Sequence, residues 1–341
     1  MSSRIEDYAL IGDCETAALV SKDGSIDWLC WPRFDSGACF AALLGDANNG
    51  RWRIAPAAAG TDANARIGRR YRRNTLILET EFTTTDGSGV VVLIDFMPLR
   101  GGRAGSHLVR LVVGKRGTVP MRTELIVRFG YGGWVPWVTR SETGDLLAIA
   151  GPDMLHLCTP VEFRGEGLTT VGDFAVSAGQ RVPFVLTYVP SHLPLPEPVD
   201  ADDALRSTEE FWQSWASACR SPERHAEVIT RSLITLKALT YAPTGGIVAA
   251  PTTSLPEQLG GPRNWDYRFC WLRDATLTLL ALMNTGYYDE AAAWRGWLLR
   301  AAAGSPADIQ ITYGCQWRAE FPQLWRSKIP QFGGWGDQAS F

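Results

Sequence analysis

The sequence lacks several features that would place it in other protein classes. It contains no run of about 18 apolar residues, which a membrane-spanning helix requires, and residues 1–7 lack the apolar stretch of a secretory signal. Lys and Arg number 33 against 36 Asp and Glu, so the net charge is −3, and no basic tract is present to neutralise a row of phosphates. We therefore expect a cytoplasmic protein that binds neither a membrane nor nucleic acid.

Templates for metal and nucleophile chemistry are also missing. The seven Cys contain no C-x-x-C pair, which favours reduced thiols over disulfides or a zinc site. The four His lack the spacing of helical metal ligands, and neither G-x-S-x-G nor G-x-x-x-x-G-K occurs. The sequence accordingly predicts no metal site and no bound cofactor.

Tryptophan, by contrast, is abundant. The chain has 14 Trp, more than its 13 Phe or 9 Tyr, although an indole is costly to bury because its N–H needs a hydrogen-bond partner. Hydrophobic residues make up 45% of the 341 residues, enough to build the cores of about two domains. Some of the Trp rings are therefore expected to line a surface that binds a ligand.

Residues 1–190 have the pattern of an antiparallel β domain. Apolar residues alternate with period two in short runs that Gly-containing turns separate, a succession typical of a sandwich. One hairpin is predicted around Asp23-Gly24, since this dipeptide supplies the positive φ of a tight turn. Strands are predicted at 18–20, 26–30, 76–82, 90–96, 108–113, 122–129, 146–150, 155–159 and 182–189.

The second half of the chain has a different period. Residues 191–220 are rich in Pro and Asp and are predicted to form a linker and a connecting helix. Apolar residues then recur every 3.6 positions, so 221–313 is predicted to be a helical domain. Helices are predicted at 222–241, 274–284 and 289–303. Residues 314–341 fit neither period and are predicted to be an aberrant tail.

Aromatic and charged residues are concentrated just before the helix predicted at 274. Segment 263–274 holds two Trp, one Tyr, three Arg and two Asp. A sugar offers apolar C–H faces to an indole and paired hydroxyls to Arg and Asp. Trp271 beside Arg273 and Asp274 therefore suits one pyranose ring.

The same residues also have a purely structural interpretation. In it, Asp266 and Asp274 cap helices and pair with Arg268 and Arg273, without contacting any ligand. On composition alone both interpretations stay open.

Residues 246–275 resemble the glycoside hydrolase family 15 proteins, which include glucoamylases, glucodextranases and bacterial trehalases. The pattern W-D-Y-R-x-x-W-x-R-D-A at 265–275 carries the resemblance. In that family the motif lies at the mouth of an α/α toroid, and its Arg-Asp pair holds the non-reducing glucose. The resemblance implies a substrate-binding set of Trp265, Asp266, Tyr267, Trp271, Arg273 and Asp274.

The N-terminal residues resemble the trehalase-like domain that precedes the toroid in bacterial members. The pattern includes I-E-D-Y-A-L-I-G-D at 5–13 and D-G-S-I-D-W-L-C-W-P-R-F-D at 23–35. The implied fold class is β + α multidomain, with an antiparallel β-supersandwich followed by the first helices of an incomplete six-hairpin α/α toroid. One departure is R-F-G-Y-G-G at 128–133, where relatives tend to carry R-F-D-Y-G-R.

The catalytic carboxylates of the family have no counterpart here. Family members invert: one Glu protonates the glycosidic oxygen and a second activates water, with carboxyls roughly 6.5 to 9.5 Å apart. In relatives both lie in later helices, the acid within W-E-x-R, which Trp-Arg-Ala-Glu at 317–320 does not match. Only Glu257, Asp266 and Asp274 remain near the motif, so we expect a truncated, inactive chain with out-of-frame sequence from about residue 315.

The resemblance implies hydrolysis of α-glucosidic bonds as the activity of the family. Trehalose and malto-oligosaccharides or glucans are the candidate substrates, and the sequence does not separate them. Phosphate and Mg²⁺, which some trehalases of this group use, are left open, as is the oligomeric state. The alternative function is a non-catalytic sugar-binding or interaction module.

Overall fold

The chain divides into two compact units. The computed structural model describes residues 3–57, 66–101, 105–220, 224–253, 255, 265–302 and 309–316. The first unit comprises Met1–Asp13, Ala18–Trp31 and Gly37–Phe211, and the second comprises Cys14–Ala17, Pro32–Ser36 and Trp212–Phe341. Two short segments of N-terminal sequence thus belong to the second unit.

Over the described residues, the first unit is built from two eight-stranded sheets. The strands are β1 (Tyr8–Gly12), β2 (Ala17–Ser21), β3 (Ser25–Cys30), β4 (Ala38–Phe40), β5 (Arg51–Pro56), β6 (Arg66–Tyr71), β7 (Leu78–Thr83), β8 (Val90–Phe96), β9 (Ser106–Arg116), β10 (Thr118–Ile126), β11 (Trp137–Arg140), β12 (Leu146–Ala150), β13 (Asp153–Cys158), β14 (Arg164–Glu166), β15 (Thr169–Ser177) and β16 (Arg181–Pro190). The first sheet has the order β1-β2-β3-β5-β10-β15-β14, with β4 beside β3, and the second has the order β11-β12-β13-β16-β9-β8-β7-β6.

The core of this unit lies between the two sheets. Trp52 of β5 in the first sheet contacts Phe184 of β16 in the second, edge to face, with ring centroids 6.2 Å apart. Along β7 the residues alternate between buried and exposed or half-buried, as the period-two pattern predicts. The predicted antiparallel sandwich is confirmed.

The hairpin predicted at Asp23-Gly24 is present between β2 and β3. Gly24 has a φ of +81°, and a Cβ there would lie 2.3 Å from the carbonyl oxygen of Ile54. Both constraints select glycine. The Asp23 carboxylate accepts a hydrogen bond from the backbone N–H of Ser25 at 3.2 Å, which stabilises the turn.

A fully buried ion pair joins the two sheets. Arg110 of β9 donates from Nε to Asp95 Oδ1 of β8 at 2.7 Å. Its Nη1 donates to the carbonyl oxygen of Trp52 at 2.6 Å, and its Nη2 donates to that of Gly24 at 2.7 Å. Neither charged side chain is exposed to solvent. The guanidinium therefore satisfies backbone acceptors of the first sheet from a strand of the second.

Seven strands of the first unit were not predicted from the sequence: β1, β4, β5, β6, β11, β14 and β15. Two of them show one reason. β6 (Arg-Ile-Gly-Arg-Arg-Tyr) and β14 (Arg-Gly-Glu) are edge strands that are largely exposed. Charged residues are common on edge strands because they discourage pairing with other chains. Such strands lack the apolar alternation on which the prediction rests.

The second unit contains four helices within the described residues. They are α1 (Ala201–Ser217), which the first unit shares, α2 (Ala226–Ala238), α3 (Leu272–Asn284) and α4 (Tyr288–Ala301). Short strands β17 (Thr240–Tyr241), β18 (Gly246–Ile247), β19 (Cys270–Trp271) and β20 (Thr312–Tyr313) form two small ribbons. The predicted start of α2 at 222 was wrong: the helix begins at Ala226, and the predicted cap at 221–223 lies outside the described residues.

Packing among α1, α2 and α4 centres on Trp215. Its ring stacks on Tyr287 with centroids 4.1 Å apart, and its Nε1 donates to Glu290 Oε1 at 2.6 Å. Lys237 Nζ lies 3.2 Å from the same carboxylate oxygen. One carboxylate thus joins three helices.

Candidate functional site

The residues of the predicted sugar motif lie where the chain enters α3. Trp271 pairs with Thr312 in the β19–β20 ribbon, and the backbone N–H of Leu272 donates to the carbonyl oxygen of Ile311 at 3.2 Å. Trp271 is extended, with φ −83° and ψ 123°, and the helix begins at the next residue, two positions before the predicted start. Arg273 and the following Asp therefore occupy the first helical turn.

Three aromatic rings form a cluster at this turn. Trp271 meets Trp265 edge to face with centroids 6.2 Å apart, and it meets Tyr267 in the same manner at 5.5 Å. The Trp271 Nε1 donates to the carbonyl oxygen of Asp266 at 3.0 Å, which satisfies its N–H without a ligand. All three rings are half-buried. Edge contacts fix the Trp271 ring.

Arg273 and Asp274 form an accessible ion pair beside this cluster. The Arg273 Nη2 lies 3.1 Å from Asp274 Oδ2, and the two side chains are 68% and 32% exposed. The charge of Asp274 and the hydrogen bond that it accepts raise the pKa of Arg273, and a hydrogen bond that Arg273 donates to Tyr267 adds to this. An exposed ion pair contributes little to stability. Because both side chains reach solvent, their donors and acceptors are accessible to a ligand. The positive end of the helix dipole favours the carboxylate at this position.

Asp266 is engaged by a buried arginine. Arg268, whose side chain is completely buried, donates from Nε to Asp266 Oδ1 at 3.0 Å and from Nη2 to Oδ2 at 2.7 Å. This is one of the two ion pairs that the structural interpretation describes, and the Arg273–Asp274 pair is the other. Asp266 supports the site through the carbonyl that holds the Trp271 indole. A direct contact between its carboxylate and substrate stays a prediction.

N-terminal residues that belong to the second unit contact its Arg268 and Ala242. The Arg268 Nη1 donates to the carbonyl oxygen of Ser36 at 2.8 Å, across 232 positions of sequence. The backbone N–H of Phe34 donates to the carbonyl oxygen of Glu15 at 3.1 Å. The backbone N–H of Ala242 donates to that of Cys14 at 2.7 Å. Sequence reasoning assigned these residues no part in the helical unit, because no local signal marks such distant contacts.

The two Asp residues of the motif are both ion-paired. Asp266 pairs with Arg268 and Asp274 with Arg273. Glu257 and residues 317–320 lie outside the described residues. Among the residues that are described, no three His, Cys, Asp or Glu side chains converge in a group that could hold a metal. No helix in the described part of the chain is long and apolar enough to span a membrane.

Family models match most of the chain. The model described as trehalase-like, N-terminal, matches residues 1–179, and that of the glycosyl hydrolases family 15 matches residues 223–331. The second match extends to residue 331, beyond residue 314, where the sequence predicts the start of an aberrant tail. The boundary at 314 stays a prediction.

Curated relatives are trehalases. The trehalase of Mycolicibacterium smegmatis is 32% identical over 339 residues, which cover 91% of this chain and 49% of the relative. The trehalase of Thermoplasma volcanium is 30% identical over 290 residues, which cover 84% of this chain and 46% of the relative. The chain thus spans about half the length of the curated relatives it matches.

Solved structures share the fold. A bacterial glucoamylase complexed with acarbose superposes with a TM-score of 0.64 at 11% identity, covering 89% of this chain and 50% of that one. A putative kojibiose phosphorylase superposes with a TM-score of 0.52 at 9% identity, covering 95% of this chain and 51% of that one. The predicted order is confirmed: an antiparallel β domain precedes helices of a glucoamylase-like six-hairpin fold.

Proposed function

The chain belongs to the glucoamylase- and trehalase-like family 15 of glycosyl hydrolases, and on that basis we propose that residues 265–274 bind the terminal glucose of an α-glucoside. The observation that carries the proposal is the accessible Arg273–Asp274 pair beside the Trp271 ring. Trp265, Tyr267 and Asp266 position that ring.

The chemistry of a glucose residue suits this arrangement. The indole of Trp271 packs against the C–H face of the pyranose, a contact that fixes the plane of the sugar. The Arg273 guanidinium donates to hydroxyl oxygens, and the Asp274 carboxylate accepts hydroxyl hydrogens. Together these contacts orient the glucose so that its glycosidic oxygen faces a separate acid and base.

For the whole protein we propose inverting hydrolysis of an α-glucosidic bond, with trehalose as the substrate. The named relatives support trehalose over a glucan, since the curated matches at 30–33% identity are trehalases. We further propose that these 341 residues alone bind sugar without hydrolysing it, because the sequence offers no counterpart of the two catalytic Glu. We propose a cytoplasmic location for the protein.

Binding measurements test the site directly. Titration calorimetry of the 341-residue chain with trehalose, maltose and glucose is expected to show binding of all three. Arg273→Ala should weaken trehalose binding about tenfold or more, as expected for the loss of a charge-assisted hydrogen-bonding group. Arg206→Ala is the matched control, because the Arg206 side chain is 65% exposed, similar to Arg273, and pairs with Asp203 on α1. Equal affinity of both variants would refute the site.

Hydrolysis is tested separately from binding. Glucose release from trehalose by the 341-residue chain is expected to stay at the level of buffer alone. Turnover that persists in the Arg273→Ala variant would contradict both the site and the proposed lack of catalysis.

A further inference from the structure

The first unit contains a cavity that the proposed sugar site does not use. Its volume is about 470 Å³, within the range of roughly 300 to 1,000 Å³ found for small-molecule sites. Residues of β10, β14 and β15 from the first sheet and of β11, β12 and β13 from the second line it. Among its lining residues, the large apolar side chains of Val135, Val138 and Leu168 are exposed. The cavity therefore reaches the surface.

The inner wall of the cavity is apolar. Its buried apolar side chains include those of Leu125, Val127, Ala148, Leu155, Leu157 and Phe163. Water gains few hydrogen bonds in such surroundings, so an apolar cavity of this size favours an apolar ligand.

Two arginines on the wall have no carboxylate partner within the described residues. Arg128 is only 6% exposed, and it donates to the carbonyl oxygens of Val127 and Leu168 at 2.7 and 3.1 Å. Arg140 donates to the carbonyl oxygens of Phe163 and Gly144 at 2.7 and 3.1 Å. Burial alone lowers the pKa of Arg128, which reflects the cost of its uncompensated charge.

A third arginine on the wall is neutralised and serves as an internal comparison. Arg164 lies 2.7 Å from Glu166 and 2.6 Å from Asp173. Of the three cations on the cavity wall, only Arg164 therefore has a carboxylate partner within the part of the chain that the structure describes. An anion entering the cavity gains most from the other two.

We propose that this cavity binds an amphipathic carboxylate, with its apolar body against the inner wall and its carboxylate at Arg128 and Arg140. The ligand class follows from the combination of an apolar interior with two cations that lack counter-charges. The cavity lies within the first unit, so the proposal is independent of sugar binding by the second.

Three probes of equal chain length separate the contribution of charge from that of apolar burial. The 341-residue chain is titrated calorimetrically with octanoate, octan-1-ol and octylammonium at neutral pH. Octanoate is expected to bind with one-to-one stoichiometry, about tenfold or more tightly than either other probe. Equal binding of octanoate and octylammonium would overturn the proposal, because charge would then play no part.

Variants locate the bound octanoate. Arg128→Gln and Arg140→Gln should each weaken its binding about tenfold, whereas Arg164→Gln should change it less than about twofold. Ala148→Leu should abolish binding by filling the cavity. Arg140 is exposed, so its substitution tests the charge even if Arg128→Gln unfolds the domain. Unchanged binding in both Arg140→Gln and Ala148→Leu would place octanoate elsewhere and refute the site.

Discussion

At the scale of single residues, solvent exposure separates arginines with different functions. Arg110 and Arg268 are completely buried and pair with Asp95 and Asp266, whereas Arg273 is 68% exposed. A buried guanidinium needs hydrogen-bond acceptors for its N–H groups and a partner for its charge. An exposed one keeps donors for a ligand. Composition and spacing do not distinguish these cases, because all three are Arg residues with an Asp partner.

Arg110→Met is expected to lower the free energy of unfolding by about 3 to 5 kcal/mol, because Asp95 stays buried without its partner. The double variant Arg110→Met with Asp95→Leu should recover only part of this loss. The carbonyls of Trp52 and Gly24 would still lack the donor that Arg110 provides. Urea unfolding followed by circular dichroism measures both values. Full recovery in the double variant would show that those two carbonyl contacts contribute nothing.

At the scale of elements, the two Asp-Gly hairpin turns are similar in sequence and differ in environment. Gly24 and Gly87 both have positive φ, +81° and +69°. A Cβ on Gly24 would meet the Ile54 carbonyl, whereas nothing lies within 4 Å of one on Gly87. The dipeptide alone predicted the β2–β3 turn. Only the packing of β5 against that turn makes one glycine harder to replace than the other.

Gly87→Ala is expected to cost about 1 kcal/mol, the strain of a left-handed conformation for a residue with a Cβ. Gly24→Ala should cost about 3 kcal/mol or more, since the steric overlap adds to the same strain. Thermal and urea unfolding of the two variants side by side measures the difference. Equal costs would show that the turn shifts away from Ile54 freely.

The helices show how accurately apolar periodicity predicts where a helix begins and ends. α3 and α4 were predicted within about two residues at each end, because apolar spacing and an acidic first turn are local features. α2 begins four residues later than predicted. The motif at the start of α3 was also identifiable from sequence. The structure contains the Asp266–Arg268 contact that the structural interpretation describes, and sugar binding by the motif stays a prediction.

At the scale of the whole molecule, each unit has a buried carboxylate with a different environment. In the first unit, burial raises the pKa of Asp27, against the hydrogen bonds from Ser25 and Tyr8. In the second unit, burial opposes ionisation of Glu290, but Trp215 and Lys237 outweigh it and lower its pKa. The two groups therefore contribute to stability with opposite dependence on pH.

Glu290→Gln should remove a stabilisation that is present above pH 4.5, the unperturbed pKa, and lost as the pH falls through the lowered folded value. Asp27→Asn should remove a stabilisation that is present at low pH and lost as the pH rises. The folded state holds the Asp27 proton more tightly, so the wild type loses stability relative to this variant as the pH rises above 3.8. Urea unfolding from pH 3 to 8 measures both differences, which should change with pH in opposite directions. If the difference in unfolding free energy between the wild type and a variant did not change with pH, the pKa shift assigned to the replaced residue would be wrong.

The sequence by itself determined the order of the units, most buried strands, two helices nearly to their ends and the position of the sugar motif. These features depend on neighbours a few residues away, through alternation, turn chemistry and capping. Tertiary structure alone decided that Arg110 joins two sheets, that 14–17 and 32–36 belong to the second unit, and that residues of both sheets line one cavity together with Arg128 and Arg140. The physical reason is distance along the chain. The contact of Arg268 with Ser36 spans 232 positions, and the energy of such a contact is set by how the chain folds back rather than by any local pattern.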